Sequence, residues 1–151
     1  MRRLRLIGAV ALCLLLSACA AGPKFAALEA VPPGKAQIYF LRDSKLFGAG
    51  MPFDIVVDGK RVGTLASGGY LPLTVTPGKH WLGARVDLLV SVADRKTELT
   101  IAEGGRAFVL VSIHTRNEPN KIFWSFGIDE ANDEFAMRLL PGLSRMTASN
   151  D

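Results

Sequence analysis

"PFDIVVDGKRVGTL", residues 52 to 65, is the stretch that decides the fold class. Phe53, Ile55 and Val57 fall on one face of an extended chain, with Asp54 and Asp58 on the other. Such period-two alternation marks a strand buried on one side. Asp58-Gly59-Lys60 reads as a tight turn, because glycine tolerates positive φ. Arg61 to Leu65 then returns as the second arm of a hairpin.

The same pattern continues in both directions. "AQIYFLR" (36 to 42) precedes the hairpin, and Ser67-Gly68-Gly69 turns into "YLPLTV" (70 to 75). Pro77-Gly78 leads into "KHWLGARVD" (79 to 87), where Leu82, Ala84 and Val86 share a face opposite Trp81. "TELTI" (97 to 101), "RAFVLVSIH" (106 to 114) and "KIFWSFGI" (121 to 128) complete the series. Turn signals every ~10 residues predict an all-β, Greek-key-like sandwich of about seven or eight strands. "DEANDEFAMRLL" (129 to 140) breaks the pattern: Ala131, Phe135 and Leu139 lie four apart, as on one helical face. Asp129 is the expected cap, Arg138 suits the last turn, and Pro141-Gly142 ends a short helix.

The N-terminus has a different logic. Arg2, Arg3 and Arg5 precede an apolar run from Leu6 to Leu16. That run is too short for a permanent span of roughly 20 residues, and it fits a secretory signal peptide. Leu16-Ser17-Ala18-Cys19 resembles the bacterial lipobox, which implies cleavage before Cys19 and lipidation of its sulfur. Cys13 then leaves with the signal peptide, so the mature chain has no disulfide and no cysteine metal site. Cleavage removes three of 18 basic side chains and none of 14 acidic ones, leaving 15 against 14, or +1. Net charge therefore gives no argument for a nucleic-acid partner. Ala20 is not the aspartate of inner-membrane retention, so by analogy with Gram-negative lipoproteins the expected address is the outer membrane, facing the periplasm.

These signals divide the chain into a signal peptide (1–18), a lipidated tether (19–34), a β-sandwich with its helix (35–144) and a polar tail (145–151). Residues 54 to 85, "DIVVDGKRVGTLASGGYLPLTVTPGKHWLGAR", carry a D-G-x-x-[VI]-G-x-L element and a P-G-x-H turn. With "AQIYFLRDSKLFGAG" and "ELTIAEGGRAFVLVSI", this pattern resembles a domain-of-unknown-function family of small bacterial lipoproteins with a transthyretin-like or Ig-like β-sandwich. The resemblance covers about residues 35 to 114; more distantly it extends to PEGA-type β-domains. It implies no catalytic residue.

Motifs for chemistry are sparse. His80 and His114 stand on separate strands without metal-ligand spacing. There is no G-x-S-x-G elbow and no phosphate loop, and counting alone leaves a Ser-His-Asp arrangement open. The acids Asp129, Glu130, Asp133 and Glu134 suit the start of a helix. The expectation is a non-catalytic module without metal or cofactor, held to a membrane at Cys19 and meeting an envelope protein or the cell wall. The alternatives are a lipid or glycan carrier and, third, a hydrolase. The candidate recognition surface is Trp81 and Phe123, joined by Arg42, Lys45 and the loop segment "SKLFGAGMPF" (44 to 53).

Overall fold

The computed structural model describes residues 22–46, 48–88, 91–118 and 121–149; the signal sequence, Cys13, Cys19 and Phe47 lie outside the described residues. The strands are β1 (Ala36–Leu41), β2 (Phe53–Val57), β3 (Lys60–Leu65), β4 (Gly69–Val75), β5 (Gly78–Leu88), β6 (Ser91–Ile101), β7 (Arg106–Glu118) and β8 (Lys121–Ala131). A helix, α1 (Asp133–Leu139), a 3-10 turn at Leu140–Gly142 and a short β9 (Ser144–Arg145) follow. One sheet has the order β8-β7-β1-β4-β9 and the other β3-β2-β5-β6. The all-β sandwich holds.

The opening hairpin forms as its sequence requires. Asp58 and Gly59 take φ of 51° and 81°, and Val57 pairs with Lys60 across a two-residue turn. Two positive φ values match the twist of the flanking strands, which favours Asp-Gly here. β2 alternates buried and half-buried residues as read. The β2–β3 register shifts at Ile55/Val56, where Val62 bulges next to Gly63 at φ 156°.

Between the sheets, Ile38, Phe40, Phe53, Ile55, Leu65, Leu71, Leu82, Ala84, Val109, Val111 and Phe126 close a continuous apolar core. β1 departs from alternation: all six of its residues are buried. Ile38 and Phe40 point into this core, while Tyr39 and Leu41 belong to a second cluster on the outer face of the five-stranded sheet. That cluster adds Tyr70, Phe108, Ala136, Leu140 and Leu143, with Phe25 and Leu28 packed against it.

Four sequence expectations need correction. Described residues 22–34 are docked rather than strung out as a tether. The Phe25 amide donates to the Leu143 carbonyl, the Arg145 amide to Pro23, and the Phe25 ring meets Tyr70 edge-on at 5.6 Å. The Glu29 amide donates to the Tyr39 hydroxyl, and Arg106 to the Glu29 carbonyl. An aromatic sheet face needs cover, and this strap supplies it. The "polar tail" is likewise attached: the Met146 amide donates to Tyr70, the Ser149 amide to Val62, and Ala148 bridges to Gly63.

The helix starts later than expected. Asp129 is still in β8, opposite Leu110, and Asn132 is the cap, accepting from the Phe135 amide at 2.8 Å. Against the sheet lie Ala136 and Leu140, with Ala131 and Leu139 packed beside them, while Phe135 and Met137 are exposed. Finally, β6 begins at Ser91 and pairs with β5 along its whole length. Asp94-Arg95-Lys96 hid its start, since an edge strand carries charge that protects it from further pairing.

Candidate functional site

The two outer faces of the sandwich are treated differently. Strap and helix cover the five-stranded sheet. The four-stranded sheet keeps an open face. Alternation along β5 sends Leu82, Ala84 and Val86 inward and leaves Trp81 and Arg85 exposed. Trp81 is 56% exposed, against 6% for its neighbour His80. Beside it Gly83 lies between Val56 of β2 and Lys96 of β6. The strand borders a depression of about 590 Å³, lined by Val56, Asp58, Trp81, Gly83, Arg85 and Lys96.

The Asp58 end of this depression is rigid. Asp58 accepts the Trp81 amide at 2.9 Å on one oxygen and faces His80 Nδ1 at 2.7 Å on the other. His80 Nε2 lies 2.8 Å from the Thr76 carbonyl. Both ring nitrogens meet acceptors, and only the imidazolium donates from both. Burial pushes the His80 pKa down, but the hydrogen bonds to Asp58 and Thr76 and the Asp58 charge outweigh it, so the net shift is upward. The same bond to His80, then the Trp81 amide, holds the Asp58 carboxyl below its usual range. Farther along the face, Asp54 accepts from Arg61 and Thr64, and Lys79 pairs with Glu98.

The four residues expected to form a recognition surface do not all converge: Arg42 and Lys45 border one hollow, and Trp81 stands at another. Trp81 is on the open face. Phe123 is on β8, opposite Arg116, with its side chain outside the described residues. Lys45 is exposed on its loop, where it lines a hollow of about 60 Å³ with Arg42, Asp43, Ser67 and Phe135. Arg42 is not a surface cation at all: it is 4% exposed. Its guanidinium donates to the carbonyls of Met51 at 2.6 Å, Gly48 at 2.6 Å and Leu65 at 3.1 Å, and lies 4.6 Å from the Phe53 ring centroid. Burial lowers its pKa, and the three carbonyls occupy its fork. It folds the loop back onto the core.

The other histidine has modest surroundings. On the exposed side of β7, Ser112 Oγ is 2.8 Å from His114 Nε2. Both groups border Gly127, where a Cβ would meet Ser112 Oγ and His114 Nε2 at 3.5 Å and Asp129 Oδ2 at 2.7 Å, so a hydroxyl, an imidazole and a carboxylate gather at this spot. Val56, Gly83, Arg85 and Lys96 escaped the sequence reading because partners across a sheet are not neighbours in the chain. Gly83 carried the one available signal: a glycine inside a strand, away from any turn.

A family model described as "Protein of unknown function (DUF2846)" matches residues 32–123, more than half of the chain. The chain is a member of the DUF2846 family. The DUF2846 match spans β1 to the start of β8 and includes the whole open-faced sheet; it stops before α1 and β9 and begins after most of the strap. No curated protein and no solved structure shows significant similarity to the chain.

Proposed function

We propose that this DUF2846 protein is a lipid-anchored envelope lipoprotein with a non-catalytic sandwich, and that the open face around Trp81 is its contact surface. One observation carries the reading: one sheet is sealed by strap and helix, while the other leaves a tryptophan 56% exposed beside a depression. Exposed large aromatics in a shaped hollow are the usual anchors of recognition. The lipobox-like Leu16 to Cys19 supports the anchor. From Cys19 the docked strap begins only three residues later, at Gly22, a reach of about 10 Å. In this reading the domain is held close to the bilayer instead of swinging on a long linker. In a Gram-negative host Ala20 supports the outer membrane as its address.

The test is crosslinking in intact cells. A photoreactive residue in place of Trp81 should capture an envelope protein or cell-wall component, and Cys19→Ala should abolish acyl labelling and release the protein from the membrane fraction. Capture no greater than from a control at Thr100, or membrane association unchanged in Cys19→Ala, would overturn the corresponding half of the proposal.

A further inference from the structure

Each of the two sheets has two edges, and three of these four edges are guarded. β3 is covered by the C-terminal segment, where the Ser149 amide donates to the Val62 carbonyl and Ala148 bridges to Gly63. β9 is two residues long and is bridged by Lys24 of the strap. β6 carries Asp94, Arg95, Lys96 and Glu98. Short length, covering chain and charge are the usual defences of a strand edge.

β8 is the exception. It runs eleven residues, Lys121–Ala131, at the end of the five-stranded sheet. Among the described residues its ladder partners all belong to β7, and no backbone group of another segment bonds to it. In an antiparallel pair every second residue turns its N–H and C=O away from the partner strand, so β8 offers a row of donors and acceptors along its other side. "IFWSFGI", residues 122 to 128, has neither charge nor proline to refuse another strand. Charges stand only toward the two ends, Lys121 at one and Asp129 and Glu130 at the other.

The placement of those charges says which strand fits. Phe126 and Ile128 are buried, so by alternation Ile122 and Trp124 hold inner-face positions, while Lys121, Phe123, Ser125, Gly127 and Asp129 hold outer-face positions. A second β8 laid antiparallel, with Ser125 opposite Ser125, sets Lys121 opposite Asp129 twice, once on each side of the axis. The same register sets Phe123 opposite Gly127, Trp124 opposite Phe126 and Ile122 opposite Ile128. Opposite charges, aromatic pairs and an aromatic facing a glycine are favourable combinations across strands. Moving the centre to Phe126 puts Glu130 against Ile122 and Asp129 against Phe123, and both charge pairs are lost. Such self-complementarity is what a twofold interface requires.

We infer that β8 is a dimer edge, which pairs antiparallel with β8 of a second copy, centred on Ser125, into one sheet continuous through both copies. The inference goes beyond the contact-surface reading and does not rest on it, since Trp81 lies on the other sheet. The twofold axis stands normal to the shared sheet, so both straps lie on one side of the dimer and both Trp81 faces on the other. In the proposed lipoprotein, two anchors then reach one bilayer.

The experiment combines cysteine crosslinking with sedimentation of the full chain in detergent. Ser125→Cys sits on the axis, where directly opposed Cα atoms are about 5 Å apart, within disulfide range. On oxidation it should form covalent dimer at least about tenfold more than Thr100→Cys, an exposed position on β6. The unsubstituted chain, oxidised alongside, sets the background from Cys13 and Cys19. Sedimentation equilibrium in density-matched detergent should find two chains per particle. Lys121→Asp should weaken the dimer about tenfold or more, and adding Asp129→Lys should restore it. Recovery in the double exchange separates lost pairing from lost folding. A monomeric unsubstituted chain, Ser125→Cys crosslinking no better than Thr100→Cys, or failure of the double exchange to restore the dimer would overturn the inference. Covalent capture of a different protein by Ser125→Cys, with the chain itself monomeric, would overturn the second copy as the occupant of this edge.

Discussion

The outer face of the five-stranded sheet and the outer face of the four-stranded sheet are the instructive pair. The first carries Tyr39, Leu41, Tyr70 and Phe108, all buried under Phe25, Leu28, Ala136, Leu140 and Leu143. The second carries Asp54, Trp81, Arg85, Lys96 and Glu98, with nothing packed over Trp81 to the same degree. One face adds a second hydrophobic cluster to the fold. The other leaves a tryptophan in solvent. A sandwich needs only its inner faces to fold, so an outer face is available for another use. This molecule seals one and keeps one open.

The sharpest way to break this contrast is to cut into the covered face. Leu140→Ala empties a fully buried site, and urea unfolding should show a loss of about 3 kcal/mol. Phe25→Ala, which removes a half-buried ring from Tyr70, should cost about half as much. Losses near zero would mean that strap and helix merely rest on the sheet.

Arg42 tests whether the loop beside the two sheets is fixed from inside. Arg42→Met keeps the stem and strands three carbonyls, for a loss of about 2 kcal/mol by the same measurement. A surface cation would cost almost nothing, so the result separates burial from exposure.

The rim of the open face should respond to pH. His80 has its pKa raised above 6.5 in the folded protein, so its contribution is complete below 6.5 and fades as pH rises through the folded value. Asp58 is lowered below 3.8, so its contribution is complete above 3.8 and fades as pH falls through its folded value. The pair is therefore strongest between these two ordinary values. Wild type minus His80→Gln, followed by urea unfolding, should differ by about 1 kcal/mol more near pH 6 than well above the raised His80 value; half-exposed Asp58 is screened, which keeps the figure small. A difference independent of pH would show that the imidazole is held neutral.

The smallest effect should come from the open face itself. Trp81→Ala should change stability by less than about 0.5 kcal/mol in the same urea unfolding. A loss comparable to Leu140→Ala would show that Trp81 supports the fold, and the contrast between the faces would collapse.

What the sequence determined is local. Alternation in Phe53, Ile55 and Val57, the Asp58-Gly59 turn and its repeats prescribe strands, hairpins and their inward faces, because side-chain direction and turn chemistry depend on adjacent residues. Trp81 opposite Leu82, Ala84 and Val86 was legible for the same reason. What covers an outer face is not local. "FAALEA" has no period that announces a strap, and contact with the sheet, not spacing in the chain, puts Ala136 and Leu140 inside and leaves Phe135 exposed. Arg42 has an apolar stem and a charged head, so its composition is compatible with either side; two carbonyls of its own loop and one at the end of β3 hold it inside. Only tertiary packing joined Val56, Gly83 and Lys96 across three strands, because registry between strands is set by contacts the linear chain does not contain.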